Sequence, residues 1–263
     1  MQALGPHDTF MLFKHHWPFE RHSLSYFGHS DDFPIGYIGG GLINADQARR
    51  VVEENLEDRF GPIMHLALAP HPTHDIVHFS SEVPASSTTF TGDALIVPKH
   101  RRFAIETFVG DCAVIVTATE NWLGFIHCGA PELFDNLLEA FFKKWPDPHE
   151  THVFIGPCIS GRWYAYNPEK VPDKYKTFII GPEENDNAFD DCYTFAVNLA
   201  IERELQSWQT ASLSNCGVDP FDANNRGDHR WASARYARFA MGNGDGLSPR
   251  DCAMFAYHPD SAI

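Results

Sequence analysis

Val109-Gly110-Asp111-Cys112 leads into Ala113-Val114-Ile115-Val116-Thr117-Ala118, and after Thr119-Glu120-Asn121 the chain returns through Trp122-Leu123-Gly124-Phe125-Ile126-His127-Cys128-Gly129. Both arms are short apolar runs rich in β-branched and aromatic residues, so 113–118 and 122–126 read as the strands of a hairpin. A turn at Thr119-Glu120-Asn121 brings Cys112 and His127 to the same end of that ribbon, a thiol beside an imidazole. Upstream, 63–68, 75–79, 94–97 and 103–109 carry the same strand pattern between Pro, Gly, Asp and Ser. Downstream, Pro131 suits the first turn of a helix. Leu133, Leu137, Ala140 and Phe141 recur there at helical spacing, and Phe134, Leu138 and Phe142 widen the stripe into a buried face. The segments 152–156, 177–180 and 252–257 read as further strands, and 189–208 as a helix with Asp190 and Asp191 at its positive end. An earlier helix is expected after Asn44, which can cap it with Gln47 as capping-box partner. Many strands with few helices and no strict alternation predict an α+β fold. No linker divides the chain, so 1–263 is expected to be one domain, with 1–25 as an irregular N-terminal arm.

Composition narrows the function classes. With 43% hydrophobic and 21% charged residues the chain is that of a globular protein. A formal net charge of −15 argues against general nucleic-acid binding, which needs a surplus of Lys and Arg over phosphate. It leaves room for a small anion held in a local pocket, and Arg230, Arg235 and Arg238 form a positive group suited to that role. No apolar stretch of signal-peptide type lies between Met1 and Tyr26, and no run of apolar residues is long enough to span a bilayer, so a cytoplasmic, membrane-free protein is expected. The six cysteines, at 112, 128, 158, 192, 216 and 252, then fit reduced thiols better than three disulfides.

The chemistry centres on Cys112 and His127. Pro70-His71-Pro72-Thr73-His74-Asp75-Ile76-Val77-His78 offers three further imidazoles at the entry to a strand. One Cys and two His make a soft site for zinc, and three protein ligands leave a fourth position open for chemistry. Asp111 is a candidate proton carrier beside such a site. A second reading keeps Cys112 as a nucleophile with His127 as its base, a metal-free hydrolase or deamidase. A third retains the site as a binding centre without turnover. The run Gly36 to Gly41 reads as a plain turn, since it lacks the spacing of a phosphate-binding loop.

The motif order resembles the laccase-domain family, also called YfiH-like or polyphenol oxidase-like. Asp93-Ala94-Leu95-Ile96 is similar to that family's A-D-A-L-V-T, Gly110-Asp111-Cys112-Ala113-Val114 to its T-A-D-C-L-P-V, and Ile126-His127-Cys128-Gly129 to its H-A-G-W-R-G. His71-Pro72-Thr73 resembles its H-G-T, and Ile155-Gly156-Pro157-Cys158-Ile159 its I-G-P-x-I. Ser233 and Arg235 stand where its F-S-x-R-R is expected. The resemblance implies mixed β-sheets flanked by helices, similar to the cysteine-hydrolase-like fold. It implies a metal, zinc rather than copper, held by His71, Cys112 and His127, with His74 as the other candidate for the third ligand. It also implies a purine nucleoside phosphorylase or adenosine deaminase activity, with Cys112, Asp111 and His127 as catalytic residues. Ser233 and Arg235 would bind the substrate, a purine nucleoside with phosphate. The chain departs from the pattern at Ala130-Pro131-Glu132, where W-R-G is expected, and at Tyr236, where a second Arg is expected. Each missing Arg removes a planar fork for an anion.

Overall fold

The structure is a computed structural model that describes residues 64–69, 73–74, 76–184, 192–226, 233 and 235–236, with residue 224 as backbone only, and the backbone of the strands within 11–13, 23–28, 34–39 and 252–258. The expected helix after Asn44, and with it His71, Arg230 and Arg238, lie outside the described residues.

Two mixed sheets dominate. The first contains β1 (Met11–Phe13), β2 (Ser23–Gly28), β3 (Pro34–Gly39), β4 (Met64–Ala69), β6 (Thr88–Thr91), β8 (Phe103–Val109) and β15 (Cys252–His258), in the order β1-β2-β3-β15-β8-β4-β6. The second contains β5 (Val77–Phe79), β7 (Ala94–Pro98), β9 (Ala113–Ala118), β10 (Trp122–Cys128), β11 (His152–Ile155) and β14 (Ser212–Asn215), in the order β14-β11-β9-β10-β7-β5. In the second sheet β11 with β14 and β5 with β7 are parallel, and the central pairs are antiparallel. This is the mixed α+β architecture expected from the strand pattern.

The second sheet is a middle layer. Val114, Val116, Leu123 and Phe125 pack with Leu66, Phe103 and Ile105 of the first sheet. On the opposite face Ala113, Ile115, Ile126 and Cys128 pack with α1 (Ala130–Phe134), α2 (Leu137–Lys144) and α3 (Val197–Gln206). Burial on both faces explains why β7 and β9 read as continuous apolar runs rather than alternating ones. Among the described residues no helix is long and apolar enough to cross a membrane. The five cysteines whose side chains are described are all free.

Several expectations are corrected by the backbone. The N-terminal segment taken as an irregular arm contributes β1, and β2 follows it into the sheet. Gly36 to Gly39 belong to β3 and pair with β2 and β15, where a turn was expected. The helix expected over 189–208 begins only at Val197, because Thr194–Phe195 forms β13 against β12 (Ile179–Ile180). That ladder is tied down by Phe195 N donating to Tyr164 O and Ala196 N to Phe178 O. The expected strand over 177–180 is reduced to β12, since Asp173–Phe178 coils into a 3-10 turn.

The single helix expected from Pro131 onward is two helices, α1 and α2. Asn136 separates them with φ 62° and ψ 32°, a left-handed conformation. Its Oδ1 accepts from Lys174 Nζ at 2.8 Å. Asn136→Ala is expected to cost about 1 kcal/mol and Asn136→Gly close to none, since only glycine and asparagine visit this region cheaply. Chemical denaturation of the two variants measures the difference, and equal midpoints would remove the backbone explanation.

Candidate functional site

The hairpin of β9 and β10 is in the register that pairs Cys128 with Ala113 and His127 with Val114. Cys112 therefore precedes the last pair by one residue, and its side chain meets the His127 imidazole at the end of the ribbon. Neighbouring strands complete the surroundings. β7 pairs antiparallel with β10, which sets Asp93 against His127, and His127 N donates to Asp93 O at 2.8 Å. After β11 the chain passes Cys112 closely enough for Ile159 N to donate to Asp111 O at 3.0 Å.

The cysteines differ sharply in environment. Cys128 and Cys158 are buried, and burial pushes both thiols well above their ordinary range; Cys216 is pushed up to about 12 by the same cause. Such thiols act as small apolar fillers. Cys112 is only half-buried and has an imidazole beside it. Burial opposes the charged form of His127, yet its pKa is raised to about 10, because the Cys112 sulfur, the Asp93 carboxylate and the Glu132 carboxylate outweigh that desolvation.

Two buried carboxylates lie on the Nδ1 side of the His127 ring. Asp93 Oδ1 stands 3.6 Å from Nδ1, just beyond hydrogen-bond length, and Glu132 Oε1 stands 3.9 Å away. Glu132 is held from below: its Oε2 accepts from Gly129 N at 2.8 Å at the start of α1. Its Oε1 also lies 3.1 Å from His74 Nδ1. Gly129 is compact by necessity, because a Cβ there would sit 2.7 Å from Cys112 Sγ and 3.0 Å from Glu132 Oε2. Gly129→Ala is expected to cost about 1–2 kcal/mol through this overlap. Adding Cys112→Ala should recover much of the loss in a double-mutant cycle, and no recovery would place the strain elsewhere.

Asp111 is engaged on both oxygens. Ser233 Oγ donates to Oδ1 at 2.6 Å and Arg235 N donates to Oδ2 at 2.9 Å. Burial, the largest influence, raises the Asp111 pKa against the pull of these donors and of the Arg235 charge. Arg235 in turn lies over the Tyr164 ring at 4.1 Å and donates from Nη1 to Ala165 O at 3.2 Å. Burial also raises the Tyr164 phenol pKa. The segment carrying Ser233 and Arg235 is thus clamped beside the Cys112 loop through one carboxylate.

Sequence reasoning named Cys112, His127, Asp111, Ser233 and Arg235, and the structure brings these together. His71, the third expected ligand, is outside the described residues. Among the described residues, the donor atoms that lie mutually within 4.8 Å belong to His74, Asp93 and Glu132. Asp93 and Glu132 were not picked out as site residues. Glu132 carries a legible signal, a Glu three residues after a helix-starting Gly129, the spacing of a capping box. Asp93 opens the Asp93-Ala94-Leu95-Ile96 motif, but its place beside His127 becomes visible only once β7 is known to pair with β10.

A group of this kind fits a divalent metal. His127 Nδ1, His74 Nδ1 and both oxygens of Asp93 are buried without a hydrogen-bond partner. Buried polar atoms left so are costly unless a further group completes them.

The family profile described as multi-copper polyphenol oxidoreductase laccase matches residues 40–228. No curated protein matches the chain. Among solved structures, the hypothetical protein YfiH of Bacillus licheniformis superposes with a TM-score of 0.67 at 10% identity, over 89% of this chain and 96% of that one. YlmD from Geobacillus stearothermophilus gives 0.64 at 13% identity, over 89% and 96%. A Neisseria meningitidis protein of the DUF152 family gives 0.64 at 13%, over 96% of this chain and all of that one. At such identities the superpositions speak for the fold, and the profile match over more than half the chain speaks for descent: the chain belongs to the multi-copper polyphenol oxidoreductase laccase family.

Proposed function

We propose that the chain is a metal-dependent enzyme acting on a purine nucleoside, by phosphorolysis or by hydrolytic deamination. The observation that carries this reading is the meeting of Cys112 with His127 at the mouth of the hairpin, in a family whose profile covers both residues. Cys112 and His127, with His71 as third donor, are the residues that would hold zinc. A bound ion of that kind would supply Lewis acidity toward a substrate atom.

The remaining roles follow from the side chains. Asp93 faces the Nδ1 edge of His127 and so orients the ring toward Cys112. Asp111 acts as a positioning residue, since both its oxygens are committed to Ser233 and to the backbone of Arg235. The Arg235 guanidinium, held over the Tyr164 ring, offers a fixed cation for a phosphate or a ribose oxygen. It stands in for the arginines that the Ala130-Pro131-Glu132 segment and Tyr236 lack.

A screen of adenosine, inosine and guanosine, with and without inorganic phosphate, tests the reading by chromatography of the products. Release of free base only with phosphate identifies phosphorolysis, and conversion of adenosine to inosine identifies deamination. No product from a zinc-loaded preparation would sink it. The Cys112–His127 contact also favours a second reading, a metal-free hydrolase in which His127 serves Cys112 as base. Rapid alkylation of Cys112 that zinc does not slow would favour that one.

A further inference from the structure

Glu132 has no task in the chemistry just described, yet it is almost fully buried. One of its oxygens is spent on Gly129 N; the other points at His74 and His127. Asp93, with no exposed surface, points into the same space with both oxygens unpartnered. One imidazole nitrogen and two carboxylate oxygens thus lie mutually within 4.8 Å. Cys112 is not a member of this group. The two Asp93 oxygens, buried and without a hydrogen-bond partner, are the unfilled contacts that a bound cation would complete.

We propose that His74, Asp93 and Glu132 form a second divalent-cation site, separate from Cys112 and standing on the far edge of the His127 ring. The donor set fixes the class of ion. Two hard oxygens and one imidazole select a first-row divalent cation such as zinc or manganese, and disfavour copper(I), which prefers sulfur. Glu132 is supplied by the Ala130-Pro131-Glu132 segment that opens α1, and the hydrogen bond from Gly129 N fixes its carboxylate. His74 adopts a positive φ of 57°, and its Nδ1 lies 3.1 Å from Glu132 Oε1. The site is reachable from outside through His74, whose side chain is one-third exposed.

Cobalt titration of the chelator-treated full chain tests the proposal, because cobalt replaces zinc and reports sulfur ligation by a charge-transfer band. The wild-type chain is expected to take up about two equivalents. Glu132→Gln and His74→Asn should each lose one equivalent and keep the sulfur band. Cys112→Ser should lose the band and keep one equivalent. Glu132→Gln preserves the acceptor for Gly129 N, and His74 is partly exposed, so both variants should keep the native circular dichroism. Uptake of the wild-type amount by both variants would overturn the proposal. So would loss of the sulfur band in either one, which would mean a single shared site. The nucleoside screen is independent of these results: a second ion with no turnover, or turnover with one ion, separates the failure of either reading from the other.

Discussion

Gly124→Ala is expected to destabilise the protein by about 3 kcal/mol, at the upper end of ordinary overpacking. Gly124 lies in β10, opposite Thr117 of β9 and Ile96 of β7. A Cβ at this position would collide with Thr117 Oγ1 and would stand 2.5 Å from Phe141 Cζ and 2.8 Å from Trp145 Cζ3. None of the three can retreat cheaply. Thr117 is buried within the ladder. Phe141 and Trp145 are stacked on each other at 5.3 Å, and Trp145 Nε1 donates to Thr151 Oγ1. The strand can therefore accept the methyl group only if the Thr117 side chain shifts within the ladder and α2 lifts from the sheet, and α2 contributes Leu137, Leu138, Phe141 and Phe142 to the core. Urea denaturation should show a lower midpoint with an unchanged slope. A Phe141→Leu replacement in the same background should restore part of the loss by vacating the ring tip. A midpoint equal to that of the wild type would show that the layer spacing is looser than these contacts imply.

The same middle layer explains what was legible in the sequence. Strands inside it, such as β7, β9 and β10, announce themselves as apolar runs because both faces are buried. Two of the strands that escaped notice are of another kind. β6 (Thr-Thr-Phe-Thr) and β14 (Ser-Leu-Ser-Asn) are sheet edges, each with one bonded neighbour, and their polar composition suits a margin exposed to water. The break between α1 and α2 was hidden because the apolar spacing runs through it undisturbed, while the left-handed turn at Asn136 is a property of one backbone residue. In the site, Cys112 and His127 were legible because a hairpin joins them. Asp93 stands just ahead of β7, a strand whose partner cannot be read from local pattern, and His74 reaches Glu132 through a turn that periodicity does not record.

Cys112→Ser is expected to remove more than about a hundredfold of zinc affinity at the hairpin site, beyond the loss typical of an outer-shell change, and to abolish nucleoside turnover with it. The substitution keeps the shape of the side chain and exchanges a soft sulfur donor for a hydroxyl, which is a poor ligand. Cys112 is half-buried and Gly129 leaves just enough room for its sulfur, so the smaller oxygen fits without strain. The metal-free variant should consequently unfold within about 0.5 kcal/mol of the metal-free wild type. Added zinc should stabilise the wild type more than the variant, by the increment that binding at the hairpin site contributes through mass action on the folded state. Cys192, which is exposed, supplies the control: Cys192→Ser should behave as the wild type in both assays. The two measurements also divide the competing chemistries. Lost turnover together with lost zinc assigns Cys112 to the ion. Lost turnover with zinc content unchanged would assign its sulfur to the substrate instead, and with it the His127 ring to proton transfer.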